Sequence, residues 1–127
     1  MASAALLTAA VLTVIIGLVH SWLGEVRLIG PLLAPDTRNG LLAKSDFARS
    51  VLRFAWHLTT VAWIGIGAVF AIFARGGLGQ NERGALLALA LTMLATGLVI
   101  LYTGRGRHWA WPVFLAIAAC AAYAALT

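Results

Sequence analysis

Three histidines, a glutamate and an arginine interrupt a chain that is otherwise strongly apolar. His20 and Glu25 close one long apolar run, Arg53, His57 and Thr60 lie in the next, and His108 opens the last. Ionisable groups inside apolar spans are costly and usually face a protein interior or a cavity, so they are the first candidates for function. His20 lies five residues before Glu25, about 7–8 Å inside its helix end, and His57 lies four residues beyond Arg53, about 6 Å inside its own. Consecutive antiparallel helices would bring these imidazoles to one depth, with His108 on the same side. Arg53, His57 and Thr60 share one helical face, and Thr13, Gly17, His20 and Gly24 share another. The two glycines would leave room beside the His20 ring.

Several chemistries suit these residues. Neutral imidazoles on facing helices could supply axial ligands to haem b or another tetrapyrrole, with His20 and His57 as the pair. The same pair with Glu25 could make a metal site, although no H-E-x-x-H or E-x-x-H spacing is present. A third reading is a quinone or lipid-headgroup pocket, Arg53 meeting phosphate or carbonyl oxygens between tryptophans. The plain structural alternative has His20 bonded to Thr60 or a carbonyl, stabilising a helix pair by about 1 kcal/mol, while Glu25 pairs with Arg53 or Arg27. No catalytic set is apparent: Ser21 follows His20 directly, and no carboxylate is placed to orient a base. Cys120 lies in an apolar run, so it reads as packing.

The elements that must position these groups follow from composition. The chain has 127 residues, 62% hydrophobic and 10% charged, with a mean hydropathy of +0.96. A water-soluble domain of this size needs far more polar surface. Apolar runs over 2–24, 46–74, 84–103 and 108–126 approach or exceed the ~20 residues needed to cross hydrocarbon. The expected fold is therefore an all-α, four-helix transmembrane bundle of one domain, up-down in topology. The first run lacks a basic start and a cleavage site, and is expected to be a retained helix. The 46–74 run would extend about 43 Å, so 46–52 is placed at or above the headgroups, with Ser45 and Asp46 starting the helix. Residues 25–45 read as an interfacial loop, two prolines (Pro31 and Pro35) opposing a long helix there. Ala85, Ala88, Thr92 and Thr96, and Ala118, Ala122 and Ala125, form small-residue stripes suited to close helix packing.

Charge sets the orientation. Arg27, Arg38, Lys44, Arg49, Arg53, Arg105 and Arg107 fall on one side, and only Arg75 and Arg83 on the other, next to Glu82. The positive-inside rule makes the first side cytoplasmic and puts both termini outside. The net charge of +5 thus points to anionic headgroups; no nucleic-acid partner is expected. With little mass outside the spans, the expected role is association, as an accessory subunit of a larger membrane complex or a homo-oligomer. A self-contained haem carrier is the rival. A transporter ranks behind both, because no inverted repeat or broken helix is evident.

The segment His20-Ser21-Trp22-Leu23-Gly24-Glu25 with Arg27 and Pro31-Leu32, together with Leu52-Arg53-Phe54-Ala55-Trp56-His57-Leu58-Thr59, resembles a family of small, uncharacterised four-helix inner-membrane proteins of bacteria. The resemblance covers the first two spans and their connection. It implies location and architecture, and that His20, Glu25, Arg53 and His57 belong to one shared pattern.

Overall fold

The computed structural model describes residues 1–37 and 39–127; Arg38, counted above among the basic residues, lies outside them. Among the described residues there are helices and no strands. The long helices are α1 (Ala2–Gly24), α4 (Asp46–Phe73), α5 (Gln80–Thr103) and α6 (Ala110–Leu126), with short α2 (Gly30–Leu33) and α3 (Gly40–Lys44) between the first two. Three helical stretches are long and apolar enough to cross a membrane: Ala2–Leu33, Asp46–Phe73 and Gln80–Thr103. Helix α6 is apolar but shorter, at 17 residues.

The connection after α1 departs from the expected loop. The helix does not stop at Gly24; it runs through a π-helical turn, Glu25–Ile29, into α2. Pro31 has no N–H to give and follows directly on the wide turn, so the continuous helix forgoes one internal bond there. The wide turn brings the Glu25 carbonyl to 2.7 Å from where a Cβ on residue 30 would lie, so only glycine fits at Gly30. The Gly30 N–H bonds that same carbonyl. The helix ends at Leu33, and Ala34, the residue before Pro35, is extended, as the ring of a following proline demands. Ser45 caps α4, its hydroxyl accepting from the Ala48 N–H at 3.1 Å.

Helix α1 packs against α4 on one side and α6 on the other, and α5 packs on α6. The expected bundle would close by seating α4 on α5; instead that edge is held open, and packing runs α4–α1–α6–α5. The core is Leu6, Ala9 and Ala10 from α1, Phe70 from α4, and alternating large and small residues of α5 and α6. The α5 stripe is Leu86, Ala90, Met93 and Gly97, not the expected Ala85, Ala88, Thr92 and Thr96. Ala85, Ala88 and Thr92 are exposed, and the Thr92 and Thr96 hydroxyls bond carbonyls of their own helix. On α6, Ala118 and Ala125 of the expected stripe are buried, together with Ala121 and Ala124.

Candidate functional site

The site begins with how closely α1 and α4 approach. Gly17 and Gly24 are buried on α1, and Gly67 on α4. A Cβ on Gly24 would lie 1.9 Å from the Trp56 indole nitrogen, so this glycine is what lets Trp56 lie flat across α1. The Trp56 N–H donates to the His20 carbonyl at 3.3 Å.

Along this seam runs a chain of polar contacts between the helices. The buried Thr60 hydroxyl lies 3.0 Å from the Gly17 carbonyl and 2.8 Å from Ser21 Oγ. Ser21 Oγ is 2.8 Å from His57 Nδ1. His57 Nε2 is 3.2 Å from Glu25 Oε2, and Glu25 Oε1 is 2.9 Å from Arg53 Nη2. Each hydroxyl has one proton, so the chain has a direction. When His57 Nδ1 accepts, Ser21 donates to it and Thr60 donates to Ser21. When both ring nitrogens carry protons, the order reverses and the Thr60 proton goes to the Gly17 carbonyl. The π turn makes this possible, because it begins at Glu25 and holds that carboxylate beside α4.

His20 belongs to a different environment. Its ring stacks on Trp56 at 4.3 Å between centroids and 9° between planes, with Trp63 edge-on at 5.0 Å. Trp63 in turn meets Phe114 of α6 edge-on at 5.1 Å. These rings form one wall of a cleft of about 500 Å³ lined by residues of α1, α4, α5, α6 and the π turn. His20, Arg27 and His108 line it among Val19, Leu23, Ile100 and other apolar side chains. His108 does not open α6 as expected; it is exposed in the turn before it. The Ala110 N–H donates to His108 Nδ1 at 3.3 Å. Gly104 lets this turn fold back, since a Cβ there would come within 2.9 Å of the His108 Cβ.

The structure therefore divides the expected cluster. Glu25, Arg53, His57 and Thr60 come together in the seam, and Glu25 takes Arg53 and His57 rather than Arg27. His20 and His108 go to the cleft. The His20 side chain bonds Thr59 Oγ1 at 3.0 Å, not Thr60. His20 and His57, the expected tetrapyrrole ligands, are not brought together: both ring nitrogens of His57 are engaged, by Ser21 and Glu25, and His57 does not line the cleft that holds His20. Nor do His20, His57 and Glu25 form a metal site; among the described residues no group of three or more His, Cys, Asp or Glu could hold an ion. Sequence reasoning missed Ser21, Thr59 and the Trp56/Trp63 wall. The signal for Ser21 was present, since it lies four residues after Gly17 and four before Glu25.

No family model, curated protein or solved structure matches this chain.

Proposed function

We propose that this is a four-pass integral protein of a bacterial inner membrane that works by binding, taking up a lipid-soluble molecule with an oxygen-bearing head in the cleft beside His20. The observation that carries this reading is the cleft itself: apolar and aromatic walls with a few polar side chains, His20, Arg27, Thr103 and His108, among them. Small-molecule sites have this make-up, apolar for affinity and sparsely polar for orientation. The bilayer setting is supported by large apolar side chains that face outward on α4 and α5, including Phe54, Val61, Ile64, Ile72, Leu91 and Val99. Helix α6, at 17 residues, reaches the lower limit of about 17 for a crossing. With the Arg-rich end in the cytoplasm, the cleft opens at the cytoplasmic boundary and both termini lie outside.

An accessory role in a larger membrane complex is the second reading. Its support is the scarcity of chain outside the long helices: only 74–79 joins α4 to α5, and 104–109 joins α5 to α6. In that setting the cleft would hold a molecule shared with a partner subunit.

Gentle purification of the full chain, followed by solvent extraction and mass spectrometry, tests the first reading. An amphiphile is expected at about one per chain, enriched over bulk lipid and lost in a Leu23→Trp variant that fills the cleft. Wild-type protein carrying only bulk lipid, or a filled cleft retaining the molecule, would overturn it. The visible spectrum of the same sample is expected to be featureless; a Soret band abolished by His57→Ala would restore the haem reading.

A further inference from the structure

The protons of the two cleft histidines are assigned by their neighbours. The Thr59 hydroxyl donates to the Trp56 carbonyl of its own helix at 2.7 Å. The carbonyl contact is the shorter of the two Thr59 makes and takes its one proton, so the contact at 3.0 Å between Thr59 Oγ1 and His20 Nε2 has the ring as donor. In the neutral imidazole this puts the proton on Nε2 and leaves Nδ1 as an acceptor, for which no partner occurs among the described residues. Stacking on Trp56, with Trp63 at its edge, fixes the ring plane. His108 has the opposite arrangement. Its Nδ1 accepts from the Ala110 N–H, so Nε2 carries the proton and is a donor. Arg27 adds a further donor in the lining. The cleft thus offers a ring acceptor at His20 and donors at His108 and Arg27, over an apolar and aromatic lining in which Thr103, its proton given to the Val99 carbonyl, adds a hydroxyl oxygen.

We propose that the ligand class is a lipid-soluble hydroquinone: a ring hydroxyl donates to Nδ1 of His20, a second ring oxygen accepts from the His108 and Arg27 side, and the ring lies against the tryptophans. The proposal rests on the cleft reading above and goes beyond it in choosing the ligand's protonation. An oxidised quinone carries only acceptor oxygens, so it would set a lone pair against the Nδ1 lone pair. A hydroquinone dimethyl ether fails for the same reason while matching the hydroquinone in shape. The free carboxylate of a fatty acid also has no proton to give, which separates this class from a simple acyl-chain site.

The test uses the full chain in lipid nanodiscs under anaerobic, reducing conditions, with protein-free discs subtracted for partitioning. The probes are a decyl-tailed benzohydroquinone, its dimethyl ether and, in a separate non-reducing arm, the matching benzoquinone. The hydroquinone is expected to bind about tenfold more tightly than either comparator, the scale of one well-made hydrogen bond. That preference should vanish in His20→Phe, which keeps a flat ring over Trp56 but has no acceptor. Equal binding of all three probes, or an undiminished preference in His20→Phe, would overturn the hydroquinone assignment and leave the cleft reading standing. Binding of none of the three, or binding unchanged in Leu23→Trp, would overturn both.

Discussion

The two helix pairs of this molecule are held together in different ways. Helices α5 and α6 meet through apolar packing alone along most of their length: Leu86, Ala90, Met93 and Gly97 against Phe114, Ile117, Ala118 and Ala121. The α5 threonines Thr92, Thr96 and Thr103 turn their hydroxyls back onto their own helix. The polar crossing is at the far end, where Arg83 donates to the Ala125 carbonyl at 2.8 Å. Helices α1 and α4 also approach at glycines, but their seam carries Thr60, Ser21, His57, Glu25 and Arg53 in one connected chain. Small residues let helices pack closely in lipid, and polar side chains join them at a modest gain, averaging about 0.6 kcal/mol per contact and rarely above about 1.7. The lesson is that the polar seam buys position more than stability. It fixes Glu25 and His57, while Gly24 and the His20 carbonyl fix Trp56 and so one wall of the cleft.

The strongest way to break the comparison is on the α5–α6 side. Ala121 is fully buried, and adding three carbons there must push α6 away from its neighbours. Ala121→Leu is expected to cost about 3 kcal/mol, the upper range for overpacking, measured by unfolding in mixed micelles with a rising denaturing-detergent fraction. A loss below about 1 kcal/mol would mean that this pair is loosely packed and the contrast overstated. Next in size is Gly24→Ala, which tests close approach within the polar pair. The new methyl would collide with the rigid Trp56 indole rather than with a flexible chain end, so Trp56 must move and its stack with His20 must loosen. About 2 kcal/mol is expected, with a shift in indole emission. Unchanged emission would show that Trp56 does not lie on α1.

How much of this was legible in the sequence depends on what each feature answers to. The long helices answer to the apolar runs, in which a helix satisfies its backbone within one segment away from water. The start of α4 answers to Ser45, a local signal. The continuation past Gly24 does not, because it depends on a five-residue turn that Gly30 permits and Pro31 tolerates. The α5 stripe was misplaced because that helix is apolar all round, so Leu, Ala and Thr give no sidedness from which to read a buried face. Within the site, the spacing of Arg53, His57 and Thr60 on α4 put them on one face, and the structure turns that face to α1. His20 was assigned to the seam, but its neighbour Ser21 takes that position. One residue is a rotation of about 100°, enough to move the imidazole from the seam to the cleft. The split between seam and cleft was therefore beyond periodicity alone, since it turns on Trp56 lying flat across α1 at Gly24 and stacking on His20.

The smallest expected effect is also the most informative about the polar seam. Thr60→Val keeps the shape of a side chain that is 6% exposed and removes one hydroxyl from the middle of the chain. The Gly17 carbonyl remains within its own helix, and Ser21 keeps His57 as partner, so no isolated buried polar group is created. The loss should therefore approach the net worth of the crossing contacts, about 1 kcal/mol, rather than the larger penalty of an orphaned donor. If the seam acts mainly as a positioning device, the substitution should also alter the environment of His57, visible as a shifted imidazole resonance, while Trp56 emission stays unchanged. A cost near 3 kcal/mol would instead identify the polar chain as the principal support of the α1–α4 pair. No cost and no shift together would mean that the glycines alone hold these helices, and the two pairs would then differ in composition but not in kind.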